Sequence, residues 1–209
     1  MRRPEFIARQ ARCPTGLFGS FLARIMAAET AHENDTALQL LELQPRDHVL
    51  DVGCGHGRTL TQAARLVPEG FVAGVDVSER MVRMATRRNA QLVTGGRVEV
   101  RLAHGCRIPY PDQCFDRVCA VHVLYFWSAP EGELREMYRV VKPGGRLVLG
   151  FRSNEDARVV ADFPASVYRF YAKDEVVALL ETAGFIGTRA VMPGDRACPV
   201  TFIVAQRPR

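Results

Sequence analysis

Long apolar runs are missing from this chain. Nothing in its 209 residues approaches the ~20 consecutive apolar positions that a membrane-crossing helix needs. The moderately apolar stretch Leu17 to Ala28 is interrupted by Arg24, which a secretory h-region does not tolerate, so it is read as an amphipathic helix with Leu17, Phe21, Ile25 and Ala28 on one face. Cysteine motifs are missing too. The six cysteines stand at positions 13, 54, 106, 114, 119 and 198, with no C-x-x-C pair and no zinc spacing. Neither a redox motif nor a metal site is indicated, and reduced thiols in a cytoplasmic protein are expected. Charge is not gathered in blocks: 28 Lys+Arg against 23 Asp+Glu leave a net +5, but the basic residues are spread out. The one stripe, Arg80, Arg83 and Arg87, has no aromatic residues between its members, so nucleic acid is not the expected partner.

What is present is a composition of 47% hydrophobic and 24% charged residues, enough for one well-buried α/β core and too little for two large domains. The most informative stretch is Val49 to Gly57, Val-Leu-Asp-Val-Gly-Cys-Gly-His-Gly. A short apolar run ends on an acid and enters three glycines at alternate positions. Such glycines permit positive φ and carry no Cβ, which suits close approach of main chain to a bound nucleotide. A second apolar strand, Phe71-Val-Ala-Gly-Val-Asp76, closes on a carboxylate at about the spacing at which an acid meets a ribose diol. Asp76 is therefore the expected ribose anchor.

The combination of Asp51-Val-Gly-Cys-Gly-His-Gly57, the strand-end Asp76, Ile108-Pro-Tyr-Pro-Asp-Gln-Cys-Phe-Asp116 and Val140-Val-Lys-Pro-Gly-Gly-Arg-Leu-Val148 resembles the class I S-adenosylmethionine-dependent methyltransferases, in the small-molecule branch with the quinone and sterol enzymes. The resemblance covers about residues 35–206. It implies a doubly wound, seven-stranded Rossmann-like sheet, mostly parallel with a C-terminal antiparallel hairpin and helices on both faces. It also implies S-adenosylmethionine as cofactor, S-adenosylhomocysteine as product and a small-molecule acceptor as partner, with a homodimer allowed. Residues 1–34 are then a helical cap or lid, and 35–209 the methyltransferase domain.

The same resemblance implies a set of cofactor contacts: Asp51, Gly53, Cys54, Gly55 and Gly57 in the first turn, then Asp76, Val77 and Met81 after the second strand. His104, Gly105 and Cys106 follow the third strand, and Val121 and His122 end the fourth. The family carries an acid against the adenine amino group where this chain has His104, so main chain at Gly105 or Cys106 is expected to bear more of that contact. In related enzymes the N-terminal helical region covers the cofactor and contributes to the acceptor pocket, which singles out Arg24, His32, Glu33 and Asn34.

Along the chain, helices are expected at 17–31, 35–43 (capped by Asn34 or Asp35), 58–67, 79–93 (capped by Ser78), 130–141 (with a Ser128–Glu131 capping box) and 174–183 (ended by Gly184). Residues 1–16 are expected to be loosely helical or solvated. Strands are expected near 48–52, 71–76, 97–102, 115–121, 146–151, 185–192 and 199–206, with Pro193-Gly194-Asp195 turning the last two. The aromatic run Tyr125-Phe-Trp127 is expected over the ligand edge, with Phe126 packed beneath the following helix, and residues 152–172 are the expected acceptor-specific insert. His122, with a pKa of about 6.5 in its unperturbed state, is the candidate general base, and Tyr125, three residues on, is expected to orient either the acceptor or the imidazole.

Two other readings share these features. A nicotinamide-dependent oxidoreductase would use a glycine turn and a ribose acid, but the turn here is G-x-G-x-G, Lys142-Pro-Gly-Gly145 precedes the fifth strand, and the chain closes on a hairpin. A non-catalytic binding module is the second, kept open by His104.

Overall fold

The protein is described by a computed structural model that covers residues 4–12, 30–193 and 199–209. Strands β1 (His48–Val52), β2 (Phe71–Asp76), β3 (Val98–Leu102), β4 (Phe115–Val121), β5 (Val141–Phe151), β6 (Ile186–Val191) and β7 (Thr201–Gln206) form one sheet in the order β3-β2-β1-β4-β5-β7-β6. The pairs from β3 to β5 are parallel, and β7 runs antiparallel to both β5 and β6. This is the expected sheet with its closing hairpin. The chain leaves β1 towards β2 and β3, then returns to β4 on β1's other side, so the strand order reverses between β1 and β4. A crevice at the carboxyl ends of those two strands is where such a sheet binds ligands.

Alternation along the strands feeds two cores. Leu50, Val52, Val118, Ala120, Leu147 and Leu149 face one side, and Val49, Val72, Cys119, Val121 and Val148 the other, as a two-residue period requires. The first face is covered by α6 (Pro130–Val140) through Leu134 and Met137 and by α8 (Lys173–Thr182) through Val176 and Leu180. The second is covered by α2 (Ala31–Leu41), α3 (Arg58–Leu66) and α4 (Glu79–Arg88), through Ala37, Leu41, Leu60, Ala63 and Ala85. Short helices α1 (Glu5–Arg12), α5 (Ala90–Thr94) and α7 (Ala157–Asp162) complete the set. Among the described residues no helix is long and apolar enough to cross a membrane.

Several boundaries differ from the sequence reading, each for a reason visible in the hydrogen bonding. Helix α2 starts at Ala31 with Thr30 before it, so Asn34 and Asp35 are interior and not caps. Asn34 Nδ2 bonds back to the Thr30 carbonyl at 2.8 Å, and Asp35 is held in a two-pronged pair with Arg58, both contacts 2.8 Å. The expected helix 79–93 breaks at Asn89, whose buried amide donates to Gly57 O (3.0 Å) and Ala85 O and accepts from the Thr61 hydroxyl. Ser78 does cap α4, accepting from Met81 N. The Ser128–Glu131 box does not form, since α6 opens at Pro130 with Ala129 as its flanking residue, and Pro130 has no N–H that needs an acceptor at that first position.

Lys142-Pro-Gly-Gly145 is an irregularity inside β5, where pairing to β4 jumps from Phe115–Val141 to Arg117–Arg146. Asp116 fixes this jog by accepting from Lys142 Nζ and from His48 N, both at 2.8 Å. Residues 5–12 form a defined helix, held by the Glu5–Arg9 pair and by Ala8, which is buried in the first core. Gly184, in the left-handed region at φ 102°, ends α8 as expected. The helix expected over 17–31 lies outside the described residues up to position 29, as do Arg24, Cys13, Cys198 and the turn residues Gly194 and Asp195.

Candidate functional site

A cavity of about 600 Å³ opens at the carboxyl ends of β1 and β4. One end of it is built from the glycine turn. Gly53 N and Cys54 N both donate to Val75 O, at 2.8 and 3.1 Å, which folds the turn back against the end of β2. Gly53 has φ 80°, and a Cβ there would stand 2.2 Å from Val123, so only glycine fits. Gly55, at φ 53°, lines the cavity with open space where a Cβ would be.

Asp76 closes this end. One carboxylate oxygen accepts from Gly55 N at 2.9 Å and the other from Ser78 N at 2.8 Å. Burial raises its pKa, opposed by those two backbone bonds. The carboxylate is thereby oriented while each oxygen keeps acceptor capacity for a ligand. Asp51, only 5% exposed, sits deeper. Its pKa is pushed up to about 7, chiefly by burial and then by the charge of Asp76, against the pull of the Cys119 thiol that donates to it at 3.7 Å. Among the described residues no basic side chain pairs with Asp51, so the cavity holds a buried acid without a cation.

Cys54, Val77, Met81, His104, Gly105, Cys106, Val121 and His122 all line the cavity, as do Asp51, Gly53, Gly55 and Asp76. Gly57 is the exception among the expected contacts. It does not line the cavity; at φ 78° it opens α3, and a Cβ there would stand 2.7 Å from Ala85 and 2.8 Å from Asn89, so its conformation serves the packing of α4 on the turn. Among the lining residues that escaped the sequence reading are His56 and Glu133. His56, inside the turn, has its pKa pushed down to about 4 by burial and then by the charges of Arg88 and Arg58, which keeps the ring neutral. Glu133 of α6 reaches the rim near His104, its pKa raised by burial, and so brings a carboxylate to the place where the loop itself offers histidine. No local pattern announces Glu133, because it comes from a different element.

The other end of the cavity is aromatic. Tyr125, Phe126, Phe163, Tyr168 and Phe170 line it together. Phe163 and Tyr168 lie 4.8 Å apart by ring centroids, Phe126 and Tyr168 5.0 Å, and Tyr125 and Phe170 5.3 Å. Phe126 therefore belongs to the cavity wall and not beneath α6. The residues 152–172 do supply this wall, and α1 adds Ala11 and Arg12.

A polar chain crosses between the two ends. His122 follows β4 in the left-handed conformation, φ 61°, which a histidine adopts at a cost and which marks sites worth attention. Its Nδ1 lies 3.0 Å from Tyr125 Oη, and its Nε2 is in short contact with Glu33 Oε2. Tyr125 Oη accepts from Arg152 N at 2.9 Å, and the Arg152 guanidinium reaches Glu33 Oε1 at 3.4 Å. Glu33 is 1% exposed. Burial pushes its pKa up, but the His122 hydrogen bond and the charges of His122 and Arg152 outweigh this and leave it below the ordinary carboxylate value. With Glu33 ionised it accepts from Nε2–H. Nδ1 is then the acceptor for the Tyr125 hydroxyl, whose own pKa burial raises. Tyr125 and Glu33 thus hold the two ring nitrogens of His122, and Glu33 was singled out only by its place in the N-terminal region.

Comparison with known proteins adds three findings. The family described as "Methyltransferase domain" matches residues 50–149. A demethylmenaquinone methyltransferase of Symbiobacterium thermophilum is 40% identical over 106 residues, covering 50% of this chain and 42% of that protein, and one of Tropheryma whipplei is 31% identical over 204 residues, covering 86% and 80%. The chain thus spans less than half of the first relative and four-fifths of the second. A solved S-adenosylmethionine-dependent methyltransferase from Aquifex aeolicus superposes with a TM-score of 0.67 at 29% identity, over 83% of this chain and 89% of that one.

Proposed function

Because the chain belongs to the S-adenosylmethionine-dependent methyltransferases, we propose that it moves a methyl group from S-adenosylmethionine to a small, ring-bearing acceptor by in-line displacement. The observation that carries this reading is the division of one cavity of about 600 Å³ into a nucleotide end and an aromatic end. The nucleotide end fits the cofactor on three counts. Gly53 and Gly55 leave main chain open to close approach, Asp76 holds two oriented oxygens for the ribose hydroxyls, and Asp51 offers a buried acid to the cation of the methionine part. The aromatic end suits a planar acceptor, and the two relatives named above, demethylmenaquinone methyltransferases, support an apolar ring as its core.

When bound, S-adenosylmethionine supplies an electrophilic methyl group on a sulfonium. The protein's part is to hold the acceptor in line and dry, which in well-oriented cases lowers a barrier by ~7–11 kcal/mol. The wall from residues 152–172 and helix α1 exclude water from the cavity and act as its lid. Where the acceptor must lose a proton, Tyr125 takes it as its own hydroxyl proton passes to His122 Nδ1. The imidazolium then donates Nδ1–H to Tyr125 Oη and Nε2–H to Glu33, so every hydrogen bond in the chain stays satisfied.

The test is titration calorimetry with S-adenosylmethionine, S-adenosylhomocysteine and NAD, followed by transfer of labelled methyl groups to demethylmenaquinol. Binding of the first two, no binding of NAD and label in the extracted quinol are the expected results. No binding of S-adenosylhomocysteine sinks the reading; binding without transfer to that or any other phenolic acceptor points to a non-catalytic module.

A further inference from the structure

Arg152 stands at the boundary between the aromatic wall and the polar chain, and its hydrogen bonding is incomplete. Its guanidinium Nε is shut off from solvent and has no hydrogen-bond partner. Its contact with Glu33, at 3.4 Å, is at the limit of a hydrogen bond, while Glu33's other oxygen is taken by His122. The guanidinium carbon lies 5.7 Å from the Phe163 ring centroid, and the residue lines the cavity beside Tyr168 and Phe170. A donor of a cation left buried and unpaired is costly, and such groups are rare enough that each one asks for an explanation. Arginine presents its donors as a planar fork suited to an anionic oxygen, with one face able to lie on a ring.

We propose that Arg152 is the subsite for an acidic oxygen carried by the acceptor's aromatic ring, which it holds as the anion. This rests on the methyl-transfer reading and narrows it: the acceptor is a phenol or enol, and Arg152 selects it over neutral rings of the same shape. The charges balance. Glu33 and Arg152 offset each other, and when the acceptor's O–H bond breaks, the proton goes through Tyr125 to His122, so the new negative oxygen is offset by the new imidazolium. The bonding electrons stay on that oxygen. The oxygen then sits against Arg152, and the aromatic wall sets the plane of its ring.

The experiment uses the full chain saturated with S-adenosylhomocysteine and 4-nitrophenol as probe, because its anion alone absorbs visible light. At a pH where the free phenol is mostly protonated, the wild-type protein is expected to bind it saturably and to bring up the phenolate band. Arg152→Gln is expected to bind it at least about tenfold more weakly, the lower bound for losing a charge-assisted hydrogen bond, and to lose the band. Arg152→Lys should recover part of both. 4-Nitroanisole, which lacks the acidic oxygen, should bind wild type and Arg152→Gln alike. Unchanged S-adenosylhomocysteine affinity in each variant shows that the fold is kept. An Arg152→Gln variant with the wild-type phenolate band overturns the proposal, as does equal loss of nitroanisole binding or failure of wild type to bind nitrophenol. In that last case retained S-adenosylhomocysteine binding leaves the methyl-transfer reading standing.

Discussion

Asp51→Asn is expected to make the protein more stable and less able to bind its cofactor. The wild-type residue is only 5% exposed and its pKa is pushed up to about 7, against a reference of 3.8 for aspartate. The sign follows from linkage: between those two values the folded state binds a proton that the unfolded state has already released, so stability falls as pH rises through that window and is level above it. At about 1.4 kcal/mol per pKa unit, the full penalty is roughly 4 kcal/mol above pH 7. Asparagine keeps the shape and can still accept from Cys119, but it has no charge to desolvate. Urea unfolding at pH 5 and at pH 8 should therefore show a gain for the variant of about 1.5–2 kcal/mol at the lower pH and of about 4 kcal/mol at the higher. Calorimetry at pH 8 should show weaker binding of S-adenosylmethionine, because the buried acid has lost its role as partner to the cation. For the wild type, binding below pH 7 should release a proton, seen as a dependence of the heat on the buffer used. A stability gap between variant and wild type that does not change with pH would refute the account of Asp51 as a strained, ligand-directed charge.

Three further outcomes follow from the same site. Asp76→Ala should weaken S-adenosylhomocysteine binding by roughly 1.5–3 kcal/mol, the value of charge-assisted hydrogen bonds; an unchanged dissociation constant in a folded variant would place the ribose elsewhere. His122→Asn, assayed at saturating cofactor, should lose turnover by about 10²–10⁴-fold while cofactor affinity is kept; near-normal turnover would return His122 to the cavity wall. Gly57→Ala should destabilise the fold by about 1–3 kcal/mol through backbone strain and the clash with Ala85, measured by urea unfolding, yet leave cofactor affinity of the folded protein within a few-fold; a selective loss of affinity would show that Gly57 touches the ligand after all.

The sheet, its two helical faces and the glycine-turn end of the cavity were legible in the sequence because each rests on short-range signals. Short continuous apolar runs mark the strands, the glycines of residues 53–57 require their own conformation, and Asp76 follows at the end of the next strand. Even the break into β5 at Lys142 to Gly145 was visible, although the structure absorbs it as a bulge in a strand. What could not be read was anything made by two distant segments. Gly57 looks like its neighbours in the turn, and only the position of Ala85 and Asn89 shows that it serves packing. Helix α4 ends at Asn89 because that side chain is spent on Gly57 and Thr61, not because its own sequence stops favouring a helix. Glu33 reaches His122 across 89 positions of sequence and Arg152 across 119. Hydropathy and spacing report what a residue does within a few positions of itself. A carboxylate's partner, a tautomer, or a guanidinium left with an unpaired donor exists only once the chain has folded and water has been removed from around it.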